Sequence, residues 1–144
     1  MKKILILNGP NLNMLGKREP KIYGTQTLED IESLCRDKGN NLGFEIDFKQ
    51  SNNEGQIINW IQESIDEYDG LIINAAAFTH TSLAIHDALK LLPFPIIEVH
   101  LSDPKKREEF RHFSYIEAIA ESVISGHGAE GYALALDKLQ KLLQ

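Results

Sequence analysis

Three short apolar runs constrain the fold of this chain more strongly than any other feature. They are Ile4-Leu-Ile-Leu7, Gly70-Leu-Ile-Ile-Asn74 and Pro95-Ile-Ile-Glu-Val-His100, and a polar residue ends or follows each of them. Runs of this kind are typical of strands buried on both faces, as the central strands of a parallel sheet are. Between them, residues such as Leu28 and Ile31 recur at helical spacing, which predicts helices that cross from one strand to the next.

The remaining segments complete an alternating pattern of strands and helices. Phe44-Glu-Ile-Asp-Phe48 alternates between apolar and polar residues, which predicts a half-buried edge strand, and Val123-Ile-Ser125 predicts a fifth strand. Thr27, with Asp30 three residues later, predicts the N-cap of the first helix. Further helices are predicted over the apolar stripe from Ile57 to Ile65, over Phe78–Leu92, in a short charged segment around Lys105 to Glu109, and from Tyr132 onward. The pattern predicts a flavodoxin-like open α/β sandwich, a five-stranded parallel sheet in the order 2-1-3-4-5 with helices on both faces.

Composition excludes several classes of function. A length of 144 residues predicts a single domain over 1–144, and no apolar run approaches the roughly 18 residues that a membrane span needs. The N-terminal lysines precede only a strand-length apolar run, which indicates a strand instead of a signal peptide and predicts a cytoplasmic protein. The net charge of -6 argues against non-specific nucleic-acid binding. The histidines are scattered and lack the spacing of a zinc site, so no metal site is expected.

The loop that follows the first strand is longer than the fold requires. A strand-to-helix connection usually takes about 2 to 6 residues, whereas this one extends from Asn8 to Gly24. It carries Leu12, Met14, Leu15 and Ile22, which a solvated segment has little reason to hold. We therefore expect an ordered active-site loop with a lid at about residues 16–24, and a floppy insertion is the alternative.

Polar residues follow the strands at one edge of the predicted sheet. Asn8 and Asn11 follow the first strand, Asn74 ends the third, and the segment Glu98–Ser102 covers the end of the fourth. Ligands of open α/β sheets bind beyond the carboxyl ends of the strands, near the point where the strand order reverses. We therefore expect these groups to converge on one crevice.

Two familiar uses of such a crevice do not fit the residues present. No glycine-rich phosphate-binding motif follows the first strand, and Pro10 removes a backbone donor from Asn8-Gly-Pro-Asn11. A magnesium-binding receiver domain would need acidic residues there, where this chain has asparagines. The polar set lacks an evident nucleophile and suits proton transfer on a small carboxylate-bearing molecule. Its members are Asn11, Arg18, Tyr23, Asn74, His80, Glu98, His100, Ser102 and Arg111.

A set of motifs in this order resembles one enzyme family. The motifs are Asn8-Gly-Pro-Asn-Leu, Arg18-Glu-Pro with Tyr23-Gly, Gln50-Ser-Asn-Asn-Glu-Gly, Asn74-Ala-Ala-Ala-Phe-Thr-His-Thr-Ser82, Glu98-Val-His-Leu-Ser102, and Glu109-Phe-Arg-His with Ser114-Tyr. Together they are similar to those of the type II 3-dehydroquinate dehydratases of the shikimate pathway. The resemblance covers nearly the whole chain.

The resemblance implies a reaction and a set of roles. The family converts 3-dehydroquinate to 3-dehydroshikimate by anti elimination of water through an enolate, with no metal and no lysine imine. Tyr23 would be the base, Arg18 the cation beside it, and His100 the general acid. Glu98 would orient His100, and Asn11 would stabilise the enolate, through a bound water.

The same resemblance implies how substrate is held. Substrate-binding roles fall to Asn74, His80, Arg111 and the backbone amides of Leu101 and Ser102. Asp87 is expected to reach the site of a neighbouring subunit, because the family forms trimers that assemble into dodecamers. A homo-oligomer is therefore expected.

Some positions depart from the family pattern. Asp103 stands where asparagine is usual and adds negative charge near the carboxylate-binding turn. His86, where arginine is common, and His127, in a glycine turn, put subunit contacts in question more than chemistry. The alternative of another class is a non-catalytic flavodoxin-like module that binds a small molecule. Without the resemblance, Tyr23 would more often pack a turn and Arg18 would more often be a surface cation.

Overall fold

The computed structural model describes residues 1–17, 19–23 and 25–144, with only the backbone of Pro20 and Tyr23. Within these residues a five-stranded sheet has the order β2-β1-β3-β4-β5, and every neighbouring pair is parallel. Its strands are β1 Lys2–Asn8, β2 Phe44–Gln50, β3 Gly70–Asn74, β4 Ile96–His100 and β5 Ser122–Ser125. The predicted fold class and strand order are confirmed.

Helices cover both faces of this sheet. They are α2 Leu28–Leu42, α3 Glu54–Ser64, α4 Leu83–Leu89 and α5 Glu130–Leu142, and a short helix, α1 Pro20–Tyr23, precedes them in the loop after β1. Side chains alternate along β1 because successive residues of a strand point to opposite faces. Ile4 and Ile6 therefore pack in the core beneath α2 and α5, whereas Leu5 and Leu7 pack in the core beneath α3 and α4. The two cores explain why the central strands carry apolar residues at successive positions.

The first long helix begins and ends where local chemistry requires. Thr27 accepts a hydrogen bond from the Asp30 amide, and the Asp30 carboxylate accepts one from the Thr27 amide, which together form a capping box. After Leu42, Gly43 takes a left-handed conformation with φ of 78° and ends the helix. β2 then forms an edge of the sheet, as predicted.

Two predicted helices differ in the structure. The segment over Phe78–Leu92 divides into a 3₁₀ turn, Ala76–His80, and the shorter α4, because the Ser82 side chain caps a new helix at the Ile85 amide. The charged segment forms two 3₁₀ turns, Pro104–Lys106 and Glu109–Arg111, instead of one helix. A charged segment without an apolar stripe gains little from packing, which is where most helical stability comes from.

None of the helices in residues 1–17, 19–23 and 25–144 combines the length and the apolar character that a bilayer crossing requires.

Candidate active site

A cavity of about 150 Å³ opens at the carboxyl ends of the central strands. It lies at the reversal of strand order, where β1 pairs with β2 on one side and β3 on the other. The structure brings most of the predicted site residues to its wall. These are Asn11, Asn74, His80, His100, Leu101, Ser102 and Arg111.

Asn11 is held in an uncommon backbone conformation. Its φ of 71° lies in the left-handed region, which asparagine tolerates better than most residues. The Asn11 amide donates to Asn52 Oδ1 over 2.9 Å, and Gln50 Nε2 donates to the same oxygen and to the Gly9 carbonyl, each over 3.1 Å. The Gln50-Ser-Asn turn after β2 therefore positions the start of the loop after β1.

Close backbone contact fixes the other side of the same loop. The Gly9 amide donates to the Asn74 carbonyl over 2.8 Å. A Cβ atom at Gly9 would lie 2.3 Å from the Ala75 carbonyl oxygen, so only glycine fits without a shift of the backbone. The glycine of the Asn8-Gly-Pro-Asn11 motif thus serves close approach of two backbone segments.

The buried end of β4 carries a pair of titratable side chains. Glu98 and His100 lie two residues apart and so point to the same face of the strand. The His100 Nε2 atom lies 2.5 Å from Glu98 Oε2, and both residues are buried. Because a carboxylate only accepts, Nε2 is the donor, and Nδ1 is the ring nitrogen that Glu98 leaves for another partner.

Two hydroxyl groups complete the surroundings of Glu98. Thr79 Oγ1 and Ser114 Oγ donate to Oε2 over 2.9 and 2.8 Å. Burial by itself would raise the pKa of Glu98, but the hydrogen bonds and the charge of His100 outweigh it, so the pKa lies below its ordinary value. The anionic carboxylate can therefore stabilise a protonated His100 ring.

His80 faces the cavity in a defined tautomer. Its Nδ1 atom lies 2.7 Å from the Phe113 carbonyl oxygen, which can only accept, so Nδ1 carries the proton. Burial is the main cause that lowers the pKa of His80, and the hydrogen bond to Phe113 only partly opposes it. The neutral ring, which this shift favours, offers Nε2 as an acceptor.

Two arginines supply positive charge to the wall. Arg111 Nε pairs with Glu108 Oε2 over 2.7 Å, and Arg107 lies one 3₁₀ turn earlier. Sequence reasoning selected Arg111 and missed Arg107. The available signal was the spacing of four residues between the two arginines, which would place both on one face of the predicted charged helix. Because the chain as a whole carries a net charge of -6, an anionic ligand must be bound by local cations such as these.

Glycines shape the turn that carries Leu101 and Ser102. The Leu101 carbonyl accepts from the Gly128 amide, and the Ser102 carbonyl accepts from the Gly126 amide. Both glycines have positive φ, 59° and 80°. His127 lies exposed between them, so this departure from the family pattern does not enter the cavity.

Asp103 is directed away from the first cavity. Its Oδ1 atom accepts from the Lys105 amide over 3.0 Å and caps the following turn. It lines a second cavity of about 320 Å³, on the other side of His100, together with Glu98 and Ser114. The Asp103 carboxylate therefore caps this turn, as an asparagine side chain also can.

The described wall of the first cavity does not include four predicted residues. Glu98 is bonded to His100 and lines the second cavity, and the other three are Asp87, Arg18 and Tyr23. Asp87 is exposed on α4, where its Oδ1 atom lies 3.0 Å from His86 Nδ1. Arg18 lies outside the described residues, as does the side chain of Tyr23. The roles predicted for these three stay predictions.

Comparison with known proteins decides the family. The family model described as Dehydroquinase class II matches residues 2–140 of the chain. The chain belongs to the class II dehydroquinases. The resemblance inferred from the motifs is therefore confirmed.

Dehydroquinase relatives and structures match over almost the full chain. A protein from Bartonella bacilliformis named 3-dehydroquinate dehydratase is 57% identical over 141 residues, which cover 98% of this chain and 89% of the relative. One of the same name from Rhizobium meliloti is 50% identical over 141 residues, with coverages of 98% and 95%. The crystal structure of type II dehydroquinase from Propionibacterium acnes has a TM-score of 0.95 at 44% identity and covers 98% of this chain and 97% of that one. The similarity thus includes the sheet, the helices and the cavity-forming loops.

Proposed function

We propose that this protein is a 3-dehydroquinate dehydratase, a hydro-lyase that forms 3-dehydroshikimate in the shikimate pathway without a cofactor. Membership of the dehydroquinase family and the names of the relatives support this. The single structural observation that carries it is the buried His100–Glu98 pair at the wall of a cation-lined cavity. That arrangement supplies a proton beside a site for an anion.

The cavity matches the chemistry of the substrate. 3-Dehydroquinate carries a carboxylate, a ketone and hydroxyl groups. In our proposal Arg111 and the backbone amides of Leu101 and Ser102 bind the carboxylate, while Asn74 and His80 bind hydroxyls. Arg107, on the same wall, adds positive charge. Such contacts align the substrate for elimination.

The proposed base is Tyr23, and its assignment rests on the resemblance alone. A free tyrosine has a pKa of about 10, so forming a tyrosinate at pH 7 costs about 4 kcal/mol. A neighbouring arginine lowers the pKa of an acid by about 1 to 3 units, which is the role proposed for Arg18. The tyrosinate then takes a proton from the carbon next to the ketone, and the electron pair forms the enolate.

The proposed acid is His100. In the protonated ring, Nε2 donates to Glu98, and Nδ1 donates to the hydroxyl that departs as water. The enolate electrons form the new double bond as the carbon–oxygen bond breaks. Asn11, through a bound water, stabilises the enolate oxygen, an effect whose loss costs about 3 to 4 kcal/mol in other enzymes. Each turnover leaves a proton on Tyr23 and removes one from His100, and exchange with solvent restores both.

The finer properties of the enzyme are also proposals. We propose a single catalytic domain over 1–144, a lid at about 16–24, a cytoplasmic location and a homo-oligomer, a dodecamer built from trimers. Leu12 and Leu15 are buried in the core and support an ordered inner part of the loop, whereas Met14 and Ile22 are exposed. The exposure of Asp87 on α4 is compatible with a contact to a neighbouring subunit's site.

Ultraviolet absorbance tests this function. The product is a conjugated enone, so ultraviolet absorbance rises when 3-dehydroquinate is added to the folded protein. No rise with folded protein would contradict the proposal. The alternative, a non-catalytic flavodoxin-like module, predicts tight binding of FMN or a nucleotide without turnover. The relatives named as dehydratases give that alternative no support.

A further inference from the structure

We propose that Tyr132 is a positioning residue that fixes the orientation of the Asn74 amide, so that its second Nδ2 hydrogen can be donated to the substrate. The inference deepens the proposed dehydratase function and rests on it. It concerns a residue of α5, which contributes no atom to the described wall of the cavity.

The Tyr132 hydroxyl joins the ends of two central strands. Tyr132 is fully buried, and its hydroxyl lies 2.6 Å from Asn8 Oδ1 and 3.0 Å from Asn74 Nδ2. Asn8 and Asn74 are partners in the register of β1 and β3. The hydroxyl therefore lies directly beneath the reversal of strand order where the cavity opens.

Backbone groups at the two ends of this chain of hydrogen bonds determine its direction. Asn8 lies 3.1 Å from the Lys49 carbonyl, which only accepts, so the near atom is Nδ2 and Oδ1 faces Tyr132. At the other end the Ala76 amide, which only donates, lies 3.2 Å from the Asn74 side chain, so that atom is Oδ1 and Nδ2 faces Tyr132. Tyr132 must then donate to Asn8 and accept from Asn74.

This direction limits what Asn74 can offer in the cavity. Its Oδ1 atom is bound to the Ala76 amide, and one Nδ2 hydrogen is bound to Tyr132. The second Nδ2 hydrogen is the donor that remains for a ligand, and it selects an acceptor such as a hydroxyl, carboxylate or enolate oxygen. Ala76 has a left-handed φ of 52°, uncommon for a residue with a Cβ atom, and its hydrogen bond to Asn74 accompanies that strained turn.

Tyr132→Phe tests the inference because it removes the hydroxyl and keeps the ring. Without it, the Asn74 amide is free to rotate and Asn8 Oδ1 loses its donor. We expect kcat/KM for 3-dehydroquinate to fall by about 5- to 10-fold, as loss of one hydrogen bond predicts. In an Asn74→Ala background the same substitution should cost less than about 2-fold, because Tyr132 acts through Asn74. Additive losses would overturn the inference.

Tyr68→Phe is the matched control. It removes another tyrosine hydroxyl, which donates to Asp47 far from the cavity. We expect both variants to melt at lower temperature, but only Tyr132→Phe to lose kcat/KM. Equal losses of kcat/KM would mean that Tyr132 acts only through stability. If the wild type and Tyr68→Phe are folded and inactive, the dehydratase function itself fails.

A second comparison does not depend on the folding of Tyr132→Phe. Asn74→Asp keeps the acceptor for the Ala76 amide but presents only lone pairs to the cavity. If Asn74 must donate, Asn74→Asp loses at least 10-fold more kcat/KM than Asn74→Ala. Equal or higher kcat/KM in Asn74→Asp would contradict the donor role.

Discussion

The ring of His100 and the carboxylate of Glu98 share a hydrogen bond of 2.5 Å inside the protein. Their spacing of two residues on β4 sets this contact, because both side chains point to one face of the strand. The contact uses Nε2 and leaves Nδ1 for the substrate. A protonated ring is stabilised by an anion that its own strand provides.

Glu98→Gln should lower kcat by about 10- to 100-fold, less than the roughly 10²- to 10⁴-fold that general acid catalysis contributes, because His100 itself is still present. A neutral amide no longer stabilises the protonated ring, so proton donation by His100 weakens. Steady-state kinetics measure the loss, with Glu63→Gln on the exposed face of α3 as control. A kcat equal to the wild-type value would exclude the electrostatic role of Glu98.

Thr79→Val should lower the free energy of unfolding by about 1.5 to 3 kcal/mol near pH 7, the value of a hydrogen bond to a charged group. Thr79 is buried and donates to Glu98, and valine keeps its shape. A carboxyl group whose pKa is lowered by folding stabilises the folded protein at pH values above its unfolded pKa. This stabilisation is lost as the pH falls through the folded pKa. Loss of the Thr79 hydrogen bond in Thr79→Val brings the folded pKa of Glu98 closer to its unfolded value.

The difference in stability between wild type and Thr79→Val should therefore shrink as pH falls below about 4, near the ordinary pKa of glutamate. Denaturant unfolding of both proteins between pH 3 and 7 measures this. A difference that stays constant over the whole range would show that the Thr79 hydroxyl does not interact with an ionised Glu98.

Asn52→Ala should reduce kcat by about 3- to 10-fold, as expected for loss of one hydrogen bond. Its Oδ1 atom accepts from the Asn11 amide, so the substitution releases Asn11 from its left-handed conformation. Steady-state kinetics measure the loss, and Asn59→Ala, on the exposed face of α3, is the control. In an Asn11→Ala background the substitution should have little further effect, and a full additional loss would contradict an action through Asn11.

Tyr23→Phe should abolish turnover and leave substrate binding nearly intact, because the phenol oxygen is the proposed base and phenylalanine keeps the ring. Calorimetric titration with 3-dehydroquinate separates binding from turnover. Borohydride treatment of the wild type with substrate should leave activity unchanged, since no imine forms. Turnover by Tyr23→Phe near the wild-type rate would assign the base elsewhere.

The sheet and the crevice were predictable from sequence because each depends on local pattern. Apolar runs such as Gly70–Asn74 can be buried on two faces only in a central strand, and polar strand ends such as Asn74 and His100 then share one edge. The prediction of a helix in the charged segment after Asp103 was wrong. The segment has no apolar face that could pack against the protein, and its pattern of charges does not show this.

Long-range polar contacts were beyond prediction. Tyr132 lies 124 residues from Asn8 along the chain, and a tyrosine at helical spacing indicates only a core position. The position of Asp103 likewise depends on the turn that it caps, and the residue lines the second cavity instead of the first. Arg107 lies on the wall beside Arg111, and nothing in the sequence distinguishes it from the other cations of the charged segment.

A deuterium label tests the central claim most directly. The substrate carries deuterium on the carbon between the ketone and the hydroxyl-bearing carbon, on the face opposite the departing hydroxyl, and mass spectrometry measures the product. Anti elimination by this protein predicts 3-dehydroshikimate without deuterium. Product that keeps the label, or no product from folded protein, would contradict the account.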